Sequence, residues 1–275
     1  MTTTLLIKLD NLIECEVVKR PSQYIKTPYV ADVKTADIQS TLLAHTASLG
    51  CCGLADAGAK VLVGTNPNTK AKCSHIIYLS ILDKLIVGIH PKLAETLVES
   101  ALNNNLLTKL TNIRQYQRET TIQIKDKVDS RFDFTGIDKD GIPFIMEVKN
   151  VPLADYEDVT SKERKKMDFS SYDYNSKVAY FPDGYRKKVT DTVSPRALKH
   201  IKELTMIKNE TKVRCIMCYV IQRNDVNRFT ASVIDKEYRS AFKDAISAGV
   251  EIITMVVSWN QYGEAHFIRD DLPIV

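Results

Sequence analysis

Ser130-Arg131-Phe132-Asp133-Phe134 and Ile145-Met146-Glu147-Val148-Lys149 each set acidic residues into apolar alternation. Successive side chains of a strand face opposite ways. Phe132 and Phe134 are therefore expected on one face and Asp133 on the other. Phe144, Met146 and Val148 should share a face, with Glu147 and Lys149 opposite. Asp138 to Pro143, with Gly141 inside, reads as the turn of a hairpin between the two strings. Such a hairpin sets Asp133 beside Glu147, with Lys149 one pleat further on. Carboxylate oxygens suit Mg²⁺, which keeps several waters and completes its shell with substrate phosphate. The metal polarises phosphorus and stabilises the leaving oxygen, while a lysine positions or deprotonates the attacking water or offsets charge. The set fits a Mg²⁺-dependent phosphodiesterase centre. A plain cross-strand charge pair would look the same, so spacing alone leaves both readings open.

Upstream, residues 1–88 read as short strands separated by Gly, Pro, Asn and Asp signals: Leu12 to Val18, Pro28 to Val33, Thr41 to His45, Lys60 to Gly64, Ser74 to Ser80 and Lys84 to Ile89. Strands this short and close predict a small OB-like β-barrel, a fold that often binds oligonucleotides. Pro91 then opens a helix with a stripe of Leu93, Leu97, Val98, Ala101 and Leu102, ended by Asn103-Asn104-Asn105. A strand over Gln117 to Lys125 precedes the acidic hairpin. Next come a helix over Pro195 to Lys208, with Ser194 as N-cap, and a very apolar strand over Val213 to Gln222. A helix over Glu237 to Ala248 and a strand over Val250 to Ser258 complete the order α-β-β-β-α-β-α-β. The expected class is α/β (α+β), with a barrel over 1–88 and a mixed-sheet domain over 89–275 whose buried centre is the late apolar strands. Trp259 and Tyr262 are expected to cover the sheet edge.

The chain of 275 residues is 44% hydrophobic and 26% charged, as soluble globular proteins are. No apolar run approaches the roughly 20 residues of a membrane helix, and the N-terminus lacks the pattern of a secretory signal. The expectation is no membrane partner and a cytoplasmic location, or a nuclear one in a eukaryote. Six cysteines in such a compartment are not expected to form disulfides. Cys215 and Cys218 have CxxC spacing, but in a strand they face opposite ways and read as core residues. Net charge is only +4, yet residues 162–202 hold 11 Lys/Arg against 5 Asp/Glu. Positive charge beside metal-binding acids suits a polyphosphate partner; a solvated, loop-like surface segment is the other reading.

The pattern Asp133…Glu147-Val148-Lys149 after a helix resembles the PD-(D/E)xK nucleases. Further strings resemble the sugar fermentation stimulation protein family, in family order over roughly 11–257. They include Glu16-Val17-Val18-Lys19-Arg20, Gly58-Ala59-Lys60-Val61-Leu62, Leu97-Val98-Glu99-Ser100-Ala101-Leu102, Met146-Glu147-Val148-Lys149-Asn150-Val151, Arg196-Ala197-Leu198-Lys199-His200 and Val220-Ile221-Gln222-Arg223-Asn224-Asp225. The resemblance implies an OB-like domain followed by a PD-(D/E)xK restriction-endonuclease-like domain, DNA binding and a link to sugar metabolism. It implies Glu99 as the helix acid, Asp133 and Glu147 as metal ligands, and Lys149 as the catalytic lysine. Arg196, Lys199 and His200 would face phosphate, with Gln222 and Arg223 nearby. This chain departs at Ala44-His45-Thr46-Ala47-Ser48-Leu49-Gly50 and is longer over 154–180 and 184–193.

Each residue keeps its plainer alternative. Glu95 competes with Glu99, four residues away on one helix face. Asp183 reads as a third acid or a turn residue, His45 as structural. Lys19, Arg20 and Tyr29 read as nucleic-acid contacts by charge and stacking, or as barrel rim. The expected function is a Mg²⁺- or Mn²⁺-dependent deoxyribonuclease. The alternatives are a non-catalytic DNA-binding regulator on the same scaffold and, third, an RNA-processing enzyme. DNA, or RNA, is the expected partner, and the oligomeric state, a homodimer included, is left open.

Overall fold

A computed structural model describes residues 3–36, 40–46, 53–182, 184 and 191–275. Its first strand, β1 (Thr4–Lys8), leaves the strands that follow and joins the far end of the chain. Strands β2 (Ile13–Lys19), β3 (Val30–Lys34), β4 (Leu42–His45), β5 (Lys60–Thr65) and β6 (His75–Leu82) form the ladder β4-β3-β2-β5-β6. Parallel pairing of Ala44 with His75 and His45 with Ile76 closes it into a five-stranded, OB-like barrel. Alternation builds the interior: Cys15 and Val17 of β2 point inward while Glu14, Glu16 and Val18 are exposed. A last strand, β7 (Leu85–Gly88), hangs from β6.

Helix α1 (Pro91–Asn103) follows at once, with Pro91 in its first turn and Leu93, Ala94, Leu97, Val98, Ala101 and Leu102 buried. This face shares one core with Leu62 and Leu79 of the barrel and with Met146 and Val148 of the large sheet. One helix thus glues barrel to sheet. The chain continues through β8 (Gln115–Ile124), β9 (Val128–Ile137), β10 (Pro143–Val151), β11 (Ala154–Asp155), α2 (Ser161–Arg164) and β12 (Lys177–Phe181). Then come α3 (Pro195–Glu210), β13 (Arg214–Ile221), β14 (Val226–Ala231), α4 (Lys236–Ser247), β15 (Glu251–Trp259) and β16 (Glu264–Arg269). The large sheet has the order β1-β16-β15-β13-β10-β9-β8, parallel across β10, β13 and β15. A three-stranded sheet, β11-β12-β14, stands beside it.

α3 and α4 cover the face opposite α1. Central β13 is apolar because both faces are covered. Cys215 lies in the α3 core and Cys218 in the α1 core, so the CxxC pair is divided by the sheet as expected.

The structure corrects three expectations. Phe132 and Phe134 do not share a face: Phe132 joins the α3 core and Phe134 the α1 core. Pairing of β8 with β9 steps from Arg118↔Phe134 to Thr120↔Phe132 across Glu119, which has a φ of 52°. The register is the same on both sides of Glu119, so no residue is inserted, and Asp133, opposite Glu119, falls between the two phenylalanines that part to different cores. Second, β1 lies within the expected barrel range but forms an edge of the large sheet. Third, Trp259 is buried in the α1 core rather than lying on an edge, while Tyr262 is 66% exposed. The reading over 89–275 also omitted β11, α2, β12, β14 and β16.

Candidate functional site

The β9–β10 hairpin is set by its turn. Asp138 Oδ1 accepts the Asp140 and Ile142 N–H groups at 2.9 and 2.8 Å, and Gly141 supplies a φ of 85°. Arg214 clamps the turn, donating to Asp138 Oδ2 at 2.9 Å and to both Glu251 oxygens at 2.8 and 2.7 Å. The register Met146↔Phe134 brings Asp133 opposite Glu147. Ladder pairing ends there, and the Val148 N–H is taken by Asp133 Oδ2 at 2.7 Å. Burial first, then the Glu147 charge, push the Asp133 carboxyl up to about 7, against Lys149 and the Val148 N–H.

Glu147 is 2% exposed. Its Oε1 accepts from Lys149 Nζ and from His200 Nδ1 at 2.5 Å. A carboxylate only accepts, so Nδ1 carries the imidazole proton. Burial raises the Glu147 pKa, but Lys149 and His200 outweigh it and hold the carboxyl below its usual range. Among the described residues, Glu147 Oε2 is buried without a hydrogen-bond partner.

A cleft of about 320 Å³ wraps the C-terminal end of β10. Glu147 and Lys149 enter it from the α3 face of the strand, Val148 and Asn150 from the α1 face, and Glu95 from α1. Ser194, Arg196 and Ala197 bring in the N-terminus of α3, where Ser194 Oγ caps the Ala197 N–H. Backbone N–H groups and the dipole at such a terminus favour anions.

The sequence candidates are placed unequally. Asp133, Glu147, Lys149 and Arg196 line the cleft. Glu99 does not; the helix acid that does is Glu95, while Glu99 binds Arg118 at 2.7 Å and the Tyr116 hydroxyl at 3.2 Å. His200 stands behind Glu147, its ring 5.6 Å from that of Phe132, too buried to meet phosphate. Lys199 points along the outside of α3 to the Asp129 carbonyl at 2.6 Å. Gln222 is fully buried, and Arg223 is 4% exposed and paired with Asp225 at 2.6 Å, so both support the walls rather than meet a ligand. In the barrel Lys19 and Tyr29 are exposed, but the Arg20 side chain is buried against the Pro28 carbonyl at 2.9 Å. Asp183 lies outside the described residues.

Among the described residues no three His, Cys, Asp or Glu side chains converge as a ready metal cage. The donor chemistry nevertheless fits a hard divalent cation. Three carboxylates, Glu95, Asp133 and Glu147, face one cleft, Asp133 is pushed toward neutrality first by burial and then by Glu147, and a buried Glu147 oxygen has no partner among the described residues. Leaving such an oxygen unsatisfied costs ~1–3 kcal/mol, and a cation ligated by oxygen and water relieves both conditions.

The family model described as "Sugar fermentation stimulation protein RE domain" matches residues 92–263. The chain belongs to the sugar fermentation stimulation protein family. Two homologues in this family show how far the likeness runs. The Maricaulis maris protein is 28% identical over 247 residues, covering 88% of each chain. The Synechocystis protein is 28% identical over 227 residues, covering 82% of each. Among solved structures, Pyrococcus furiosus SfsA in complex with Ca²⁺ has the same fold, with a TM-score of 0.76 and 19% identity over 99% of each chain. The family-matched span holds every cleft acid named above.

Asn150 and Ser194 also line the cleft but were not assigned a site role from sequence. For Asn150 the signal was present, since it directly follows Lys149 in the string Met146-Glu147-Val148-Lys149-Asn150-Val151. Choosing Glu95 over Glu99 needs the packing of α1 on β8, where Arg118 holds both acids.

Proposed function

We propose that this protein is a divalent-metal-dependent nuclease acting on DNA, with Mg²⁺ or Mn²⁺ as the working ion. The observation that carries the reading is the convergence of Asp133, Glu147 and Lys149 with the N-terminus of α3 and Arg196 in one cleft. Asp133, Glu147 and Glu95 would hold the cation. When bound, it would polarise the phosphodiester and offset the charge that builds there. Lys149, 12% exposed and resting on Glu147, orients the attacking water or offsets charge on phosphate. Arg196 and the α3 N-terminus bind the phosphate. The Ca²⁺ in the P. furiosus relative and the "RE domain" description support a divalent-metal site.

One observation favours a binding-only regulator on the same scaffold: Glu147 Oε1 is already held by Lys149 and His200. One assay separates the two readings. Labelled single- and double-stranded DNA is incubated with pure protein in Mg²⁺, Mn²⁺ or EDTA, beside Asp133→Ala and Lys149→Ala. Cleavage by wild type in metal, lost in EDTA and in both variants, is expected. Binding without cleavage by wild type in every metal would overturn the nuclease reading.

A further inference from the structure

Gln222 was expected near phosphate, yet it is fully buried. It sits where three strand ends meet: its N–H donates to the Val151 carbonyl at 3.2 Å and its carbonyl accepts from the Gly88 N–H at 3.0 Å. Its side chain joins Trp259 to Asn150. Trp259 Nε1 donates to Gln222 Oε1 at 3.0 Å, and Gln222 Nε2 donates to Asn150 Oδ1 at 2.5 Å. Nothing larger than hydrogen fits beside this relay at Gly88, where a Cβ would stand 1.9 Å from Gln222 Oε1 and 2.6 Å from Trp259 Nε1.

The polarity of the relay follows from donor chemistry. Indole N–H is donor only, so Trp259 fixes the Gln222 amide with its oxygen toward the indole. The Gln222 amide nitrogen must then face Asn150, and a nitrogen that only donates requires the Asn150 oxygen. Asn150 therefore turns its own NH₂ away from Gln222. Asn150 is half-buried and lines the cleft beside Asp133, Lys149 and Arg196.

We infer that Asn150 is a substrate-binding residue whose amide donors are locked toward the cleft by the Trp259–Gln222 relay, ready for an anionic oxygen of a phosphodiester. The inference rests on the reading that the cleft takes nucleic acid. Gln222 and Trp259 are positioning residues: they touch no substrate but decide which end of Asn150 the substrate meets. A buried amide free to rotate would offer oxygen as readily as nitrogen. An oxygen there would repel phosphate in a cleft already lined by three acids.

The test uses the full chain in EDTA and a fluorescein-labelled oligonucleotide, read by anisotropy. Asn150→Ala should weaken binding about tenfold, the equivalent of about 1.4 kcal/mol. Asn150→Asp keeps the shape and the acceptor for Gln222 but presents oxygen, and should weaken binding further. Trp259→Phe, remote from the cleft, should weaken binding about threefold. In ¹⁵N spectra the Asn150 side-chain NH₂ resonances, assigned by their loss in Asn150→Asp, should shift when inorganic phosphate is added. Trp259→Phe should move the same resonances without ligand, which a merely structural tryptophan would not do. Thermal melting confirms that each variant is folded. Wild-type binding matched by Asn150→Ala, or equal losses in Asn150→Ala and Asn150→Asp, overturns the inference and leaves the nuclease reading standing. Failure of wild type to bind the oligonucleotide in EDTA and again in Ca²⁺, with the Asn150 resonances still moving on phosphate, overturns the nucleic-acid reading and supports the donor.

Discussion

Asp133→Asn should make the metal-free protein more stable, and by an amount that depends on pH. The Asp133 carboxyl is raised from 3.8 to about 7, first by burial and then by Glu147. An acid whose folded pKa exceeds its unfolded value is harder to ionise in the folded state. The penalty is absent below about pH 4, grows as pH rises toward 7, and is constant above. At about 1.4 kcal/mol per pH unit the shift corresponds to about 4 kcal/mol, an upper bound because the group borders a wet cleft; about 2 kcal/mol is the working expectation. Asparagine keeps an acceptor for the Val148 N–H at near-constant shape. Urea melts in EDTA should show Asp133→Asn more stable by about 2 kcal/mol at pH 8, less at pH 5 and equal near pH 4. Added Mn²⁺ should stabilise wild type through its preference for the folded state and leave the variant nearly unmoved. A variant less stable than wild type at pH 8, or a gain equal at pH 5 and 8, would refute the reasoning.

The helix acids should separate by role. Glu95→Gln lowers Mn²⁺ affinity, read by calorimetry, about tenfold or more, while Glu99→Gln leaves it within about twofold and costs under ~1 kcal/mol through Arg118. His200→Leu strips a buried partner from Glu147 and should cost about 2–3 kcal/mol in chemical denaturation. His200→Asn, whose Nδ2 can stand in for Nδ1, should recover most of it. Arg196→Ala should weaken DNA binding and flatten its salt dependence by about one ion, measured as the slope of log affinity against log salt. Lys199→Ala, which removes a side chain directed at the Asp129 carbonyl, should change that slope little.

Periodicity served the fold well where one face of an element is buried. The barrel strands, α1 and the four-residue steps of its stripe all lie where the apolar pattern put them. It failed where the period itself changes. Glu119 carries a positive φ without being glycine, and nothing local in Arg131-Phe132-Asp133-Phe134 announces that the two phenylalanines part to different cores. The omitted strands β12 and β14 are five and six residues long and pair with each other across a wide gap in sequence. Such strands gain their identity from the partner, not from themselves. β1 is the extreme case, since its partner β16 lies at the other end of the chain.

In the site, charge type was readable and burial was not. Arg196, Lys199 and Arg223 look alike as basic residues near one motif, yet one lines the cleft, one flanks it and one is sealed inside. The difference lies in what each meets. Arg223 closes on Asp225 with two bonds of 2.6 and 2.7 Å, and Lys177 adds a third to the same carboxylate at 2.7 Å. Its remaining arm holds the Pro152 carbonyl at 3.2 Å, on the cleft wall. A guanidinium so matched cannot turn outward without leaving Asp225 buried against Lys177 alone, a cost of several kcal/mol. The basic residues past the motif therefore act in two layers. On the proposed reading the outer layer, Arg196, would meet phosphate and set affinity, while the inner layer fixes the wall from which Glu147, Lys149 and Asn150 project. Removing Arg196 should change salt dependence first; removing Arg223 should change melting first.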